Sequence, residues 1–348
     1  MKIQPNNFSQ YTGVQSLRFI AAVLVVISHA TLAVVERLNI TDFPIWRNGG
    51  VGVSIFFVIS GFVMVISSQK LLTKVDGAKI FIKKRLIRIV PMYWLATTAK
   101  LFAVLLIPAA TLHSSYDFWH VFSSYFFLPF KNVEGLIKPL HAVGWTLTYE
   151  MFFYGLFGLL IFLRKPPVLY ISVIFCSLIG LGMFVDLKDW TALFFYSQII
   201  TLQFVMGMFL GILCLRNFKV HPMISLAFIV FGLVKVITQT YGEDNSIWEG
   251  FLNWGLPSAL IVAGAAFLEP SFKKFAPTLL LRLGDGSYSL YLFHPFIVPG
   301  FAALLSKFGL QSPLIAIITL LSLSVVICQL IYVKIEKPIT VYLSKKNS

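Results

Sequence analysis

An arginine and a histidine eleven positions apart, Arg18 and His29, sit in an apolar run near the start of the chain. At about 100° per residue, eleven steps complete three turns with roughly 20° to spare. A helix therefore projects both side chains from one face, about 16 Å apart along its axis. A carboxylate, Glu150, lies in a second apolar run, WTLTYEMFFYGLF, and another histidine, His294, in a third, GDGSYSLYLFHPF. An imidazole held by a carboxylate gains basicity and a fixed tautomer, as abstraction of a hydroxyl proton requires. Counted from the helix ends expected below, His29 lies roughly 9 Å and Glu150 roughly 12 Å from the same membrane face, so the two can share a level. His294 counts seven residues from the opposite face. Plainer readings stand beside these. Arg18 snorkels to lipid phosphate, His29 bonds a neighbouring helix, Glu150 is a structural partner or a protonated acid, and His294 is a packing residue. For Glu150 the balance favours chemistry, because ionisable groups within hydrocarbon are costly.

Residues 70–88 hold seven lysines and arginines and end in Lys84, Arg85 and Arg88. Arg85 and Arg88 are i, i+3 neighbours on one helix face. As a loop entering a helix N-terminus, this stretch adds side-chain cations to a positive dipole end, a setting suited to phosphate. The alternative is an ordinary basic anchor and topology signal. Ser60, Tyr93, Trp145 and Tyr149 are further candidates to line a site, although the setting of Ser60 before Gly61 and Phe62 suits helix packing better than acyl carriage. Gly207 and Gly211 are spaced for close helix packing. Cys176, Cys214 and Cys328 match no metal or disulfide spacing, and no metal site is expected.

The elements that must position these groups are membrane helices. Of 348 residues, 58% are hydrophobic and 12% charged, with 34 phenylalanines and a mean hydropathy of +0.84. That composition excludes a soluble enzyme, a coiled coil and a disordered chain. Apolar runs near 17–35, 50–68, 89–110, 142–163, 167–185, 191–215, 222–241, 251–268, 287–306 and 311–333 predict an all-α polytopic integral membrane protein of about ten transmembrane helices. The stretch Phe118–Phe130 is too short to cross about 30 Å of hydrocarbon and reads as an interfacial or re-entrant helix. With the N-terminus inside, twenty of the 28 basic residues fall on the cytoplasmic side and six opposite, with Lys100 and Lys235 inside helices. This asymmetry predicts an even number of spans and both termini in the cytoplasm. It also accounts for the net charge of +14 without nucleic acid. One transmembrane domain covers 1–348, with short cytoplasmic tails at 1–15 and 334–348, and the first run reads as a retained helix in place of a signal peptide.

These residues, in this order, resemble the membrane acyltransferase-3 family over essentially the whole chain. The family's first helix carries a basic residue and a histidine with ten positions between them, as Arg18 and His29 do. Its second-helix motif appears as Phe56, Phe57, Ser60, Gly61 and Phe62. Its paired arginines before an aromatic third helix appear as Arg85 and Arg88, followed by Pro91, Tyr93 and Trp94. Two further motifs are matched by Trp145–Glu150 and Ser287–Pro295. Among members, the chain looks most like the exopolysaccharide-modifying acetyltransferases. The resemblance implies a multi-pass enzyme of the bacterial cytoplasmic (inner) membrane. Such an enzyme moves an acyl group, usually acetyl, from cytoplasmic acyl-CoA to a sugar hydroxyl of an exopolysaccharide, other surface glycan or lipid-linked oligosaccharide. It implies acetyl-CoA as a co-substrate and no bound cofactor, with lipid and glycan as partners. On this reading His29 is the general base, or receives the acyl group first, and Glu150 orients its ring. Arg18, Lys84, Arg85 and Arg88 hold the phosphates of CoA. The alternative is a transporter or flippase for a lipid-linked sugar, which the many spans and buried charges suit. The sequence shows no inverted repeat and no paired interrupted helices to support it.

Overall fold

The computed structural model describes residues 11–106, 117–239, 247–272 and 277–345. His113, Lys273, Lys274, the last residues of two expected spans (107–110 and 240–241) and the outermost tail residues lie outside these. The described residues are helical with no β-strand, apart from one isolated bridge between Lys131 and Ile137. In chain order the helices are α1 (Thr12–Leu38), α2 (Val51–Ser68), α3 (Gly77–Leu106), α4 (Phe118–Tyr125), α5 (Trp145–Phe162), α6 (Pro167–Phe184), α7 (Thr191–Tyr196) and α8 (Thr201–Leu215). They continue as α9 (Pro222–Thr238), α10 (Ile247–Gly250), α11 (Leu256–Phe267), α12 (Glu269–Phe272), α13 (Thr278–Asp285), α14 (Ser287–Lys307), α15 (Pro313–Ile331) and α16 (Lys337–Lys345).

Among the described residues, seven helical segments are long and apolar enough to cross a membrane: Thr12–Leu38, Arg47–Ser68, Gly77–Leu106, Ala142–Phe162, Pro167–Phe184, Ser287–Lys307 and Pro313–Lys345. Three more apolar helices, Thr201–Leu215, Pro222–Thr238 and Phe251–Phe267, stand where spans were expected. At 1.5 Å per residue they reach only about 22–26 Å, short of a bilayer core. The chain is an all-helical, multi-pass membrane protein.

Two expected extents are corrected. Residues 77–88 are not a loop but the opening turns of α3, so Lys84, Arg85 and Arg88 stand inside a helix. The dipole of a helix end fades within its first turn, and it adds nothing at those positions. The run 191–215 is two helices. Between them Ser197 Oγ and Gln198 Nε2 donate to the Phe194 carbonyl, and Thr201 Oγ1 donates to the Gln198 carbonyl. These local bonds give the backbone an alternative to a continuous ladder.

The described residues form two compact units. The first joins Met1–Ser67 to Met206–Pro338. Within it α1 packs along α11, α13, α14 and α15, and α9 packs on α11. Its apolar centre is made by Val14, Leu17 and Ala21 of α1, Ile55, Val58 and Phe62 of α2, and Ala259, Val262 and Ala266 of α11. The Gly207/Gly211 spacing serves close packing as its pattern suggested. A Cβ at Gly207 would lie 1.9 Å from the Val58 carbonyl oxygen, and one at Gly211 2.9 Å from Val65 Cβ. Without an apolar-to-water gradient between helices, such close approach is how membrane helices gain contact energy.

The N-terminus of α1 is held by a carboxylate distant in sequence. Glu269 accepts from the Thr12 amide and hydroxyl, each at 2.7 Å, and from the Gly13 amide at 2.8 Å. A buried anion there satisfies free amides and opposes the helix dipole. Glu269→Ala is expected to destabilise the fold by about 2 kcal/mol, with Glu269→Gln recovering part of the loss. Thermal unfolding in detergent micelles measures both, and equal stability of Glu269→Ala and wild type would reduce the cap to an incidental contact.

The second unit joins Ser68–Val205 to Ile339–Ser348. In it α3 packs on α4 and α5, α5 on α6, and α6 on α7. Its interior is aromatic, with Phe81, Phe153, Phe157, Phe175 and Phe204 fully buried. The eight-residue α4 is fastened to α3 by the Tyr93 hydroxyl, which donates to the Ser124 carbonyl at 2.9 Å, and by Trp94 Nε1, which donates to the Tyr125 carbonyl at 2.9 Å.

Candidate active site

In the first unit, α1 carries both Arg18 and His29. Arg18 is only 8% exposed, too enclosed for a side chain reaching out to lipid headgroups. Its Nη1 approaches Gln15 Oε1 at 3.4 Å, and Gln15 Nε2 in turn donates to Asp285 Oδ1 at 2.6 Å. Further along the same helix, His29 Nδ1 lies 2.5 Å from His294 Nε2. The two rings are 17° from parallel, with centroids 4.8 Å apart. His294 is completely buried on α14, and its Nδ1 lies 3.1 Å from the Leu290 carbonyl oxygen. Pro295 follows inside α14 and has no amide hydrogen to add to the helix ladder. Depth counted from helix ends had separated the two histidines. The contact between them brings together two side chains that depth counting had placed at different levels.

In the second unit, Glu150 and Tyr154 are i, i+4 neighbours on α5, and the Tyr154 hydroxyl donates to Glu150 Oε1. From α3, the Arg85 guanidinium lies 5.5 Å from the Phe81 ring centroid and 5.6 Å from that of Tyr154. Such a cation–π pair gains strength where water is excluded. Arg85, Tyr154 and Glu150 thus form one polar chain linking α3 to α5. Arg88 stands one turn beyond Arg85, and Lys84 is exposed.

The remaining candidates serve packing in their own units. Tyr149 donates its hydroxyl to the Phe195 carbonyl at 2.5 Å, stacks on the Phe195 ring at 4.0 Å, and meets Trp145 edge-on at 5.9 Å. Tyr93 is fully buried against Phe127 and α4, and Ser60 is buried on α2. Two partners escaped sequence reasoning. Tyr154 was signalled by its spacing four residues after Glu150, and Gln15 by its spacing three residues before Arg18.

Buried ionisable side chains among lipid-length helices mark the functional candidates of a multi-pass membrane protein. The chain belongs to the acyltransferase-3 family: the family described as "Acyltransferase domain" matches residues 11–333. It is similar to the exopolysaccharide production protein ExoZ of Rhizobium meliloti, with 34% identity over 302 residues, 84% of this chain and 89% of that protein. It is also similar to the O-acetyltransferase OatA of Staphylococcus aureus, with 28% identity over 319 residues, 82% of this chain. The match spans 50% of OatA's length. No solved structure matches the chain.

Proposed function

We propose that this protein is an integral membrane O-acetyltransferase of the bacterial cytoplasmic (inner) membrane. It moves an acyl group, acetyl in the first instance, from cytoplasmic acyl-CoA to a hydroxyl of an exopolysaccharide or other surface glycan. The carrying observation is the imidazole of His29, half-buried between apolar helices with a ring nitrogen bonded to His294. An imidazole so placed offers a ring nitrogen to a hydroxyl substrate as a general base. The names of ExoZ and OatA supply the acceptor class and the acyl group. The proposal retains ten spans with both termini cytoplasmic, resting on the Lys/Arg asymmetry. Short helices cross where the bilayer thins locally.

In the reaction, His29 takes the acceptor's proton as the hydroxyl oxygen attacks the thioester carbonyl. The carbon–sulfur bond breaks, and the CoA thiolate recovers the proton from the ring, leaving His29 as it began. In the alternative order, the ring nitrogen attacks the thioester, CoA leaves, and the sugar hydroxyl then takes the acyl group from the histidine. Glu150 is the second group assigned to catalysis. Arg18, Lys84, Arg85 and Arg88 are assigned to the pyrophosphate and 3′-phosphate of CoA.

Radiolabelled acetyl-CoA offered to inside-out membrane vesicles tests the reading: label is expected on the polysaccharide only when the protein is present. Labelled donor with no label on glycan, beside unimpaired glycan export, would point to transport. Arg88→Ala is expected to raise KM for acetyl-CoA about tenfold, equivalent to about 1.4 kcal/mol, with kcat within about threefold. An unchanged donor KM returns Arg88 to a topological role.

A further inference from the structure

Two imidazoles can approach face to face or edge to edge, and the distances decide which. Stacked faces keep ring atoms at van der Waals separation, about 3.5 Å or more. The 2.5 Å nitrogen–nitrogen contact at an interplanar angle of 17° therefore puts the rings almost in one plane, joined at their edges. Centroids 4.8 Å apart fit that arrangement. In-plane approach aims the N–H of one ring at the lone pair of the other, which is a hydrogen bond and not a π stack.

The direction of that bond follows from the next atom along. His294 Nδ1 is 3.1 Å from the Leu290 carbonyl oxygen, and a carbonyl can only accept. Nδ1 of His294 therefore carries a proton. His294 has no exposed surface and lies among apolar helices, where a cationic ring is expensive. The neutral ring has one N–H, so His294 Nε2 is a lone pair. His29 Nδ1 must then be the donor. The proton of neutral His29 sits on Nδ1, and its Nε2 is left as the basic nitrogen, on the ring edge turned away from His294.

We infer that His294 is a positioning residue, which by accepting from His29 Nδ1 fixes the His29 tautomer and assigns His29 Nε2 as the nitrogen that takes the substrate proton. The inference deepens the proposed chemistry and rests on His29 being its base. When His29 is protonated at Nε2, the same bond to His294 becomes charge-assisted and steadies the imidazolium. His294 thus fixes the tautomer of this ring as a carboxylate does for a triad histidine.

The test reads the tautomer directly. With 15N-labelled histidine in the full chain reconstituted in nanodiscs, the His29 signals are assigned as those lost in His29→Ala. In wild type they are expected to show protonated Nδ1 and unprotonated Nε2. In His294→Phe, His29 is expected to move to the Nε2–H form that an unconstrained imidazole prefers. Kinetically, His294→Phe is expected to lose about a hundredfold in kcat with KM for acetyl-CoA within about threefold. His294→Gln, whose amide oxygen can stand near the lost Nε2, is expected to recover to within about tenfold of wild type. A protonated Nε2 on wild-type His29, or a tautomer unmoved in His294→Phe, overturns the inference while leaving the proposed reaction standing. Full activity of His29→Ala beside the expected tautomer pattern would instead overturn the reaction and leave the hydrogen-bond assignment intact.

Discussion

His29→Ala is expected to lower kcat for acyl transfer by about a thousandfold, the central range for removal of a general base, while the protein remains folded and inserted. The fold should survive because α1 is held by other residues. Ala21, Ala22, Val25, Val26, Ala30, Thr31, Ala33 and Val34 are the buried positions around His29, and none is touched. The expected structural penalty is the donor lost to His294 Nε2; loss of one buried hydrogen-bond donor costs about 1–3 kcal/mol. His29→Asn separates that penalty from the chemistry. Its side-chain amide can still donate from near the Nδ1 position but offers no basic nitrogen. Asn is therefore expected to restore the thermal midpoint lost in Ala without restoring turnover. Measurement of kcat and unfolding in the same nanodisc preparation checks both, and wild-type turnover in either variant would remove His29 from the reaction. If the ring accepts the acyl group before the sugar does, wild-type protein given labelled acetyl-CoA alone will retain label that both variants lack.

The helices were legible because hydrocarbon demands continuous apolar runs and leaves few ways to satisfy backbone groups. Nine of the ten runs fall on a single helix over their described residues and 191–215 on two, yet length alone did not tell which reach across: three helices stop at 15–17 residues. Local polar chemistry was harder to read. Nothing in the period of 191–215 announced that Ser197, Gln198 and Thr201 would bond backward and break the helix. Nor did the charge density of 70–88 reveal that its second half continues α3, because a lysine-rich stretch reads equally as loop or as amphipathic turn. The histidines show the limit most clearly. Their motifs singled out both residues, but depth along a helix converts to depth in a bundle only when axes are parallel. How α1 and α14 cross is set by packing that no single helix encodes. Short-range pairs fared better, since i, i+4 spacing on α5 is enough to bring Tyr154 to Glu150.

Glu150→Gln is expected to lower kcat by at least about a hundredfold, and Tyr154→Phe by less than about tenfold. The contrast separates two accounts of the carboxylate. Glutamine matches glutamate in shape, and its oxygen still accepts from the Tyr154 hydroxyl, so the substitution removes a charge and little else. Phenylalanine at 154 does the reverse: it takes away the hydroxyl, preserves a ring beneath Arg85, and leaves the carboxyl group in place. If Glu150 exists to tie α5 to Arg85 on α3, both substitutions act on the same chain. Glu150→Gln should then cost up to about 3–5 kcal/mol of stability, as when a buried charge loses its counterpart, with turnover per folded molecule unchanged in each. If Glu150 serves the transfer itself, the charge matters and the hydroxyl does not, so turnover falls in Glu150→Gln far more than stability does. Active-site titration, giving kcat per folded molecule, keeps the two quantities apart. Glu150→Gln at wild-type turnover per folded molecule would confine the carboxylate to holding α3 and α5 together and leave His294 as the orienting partner of the base.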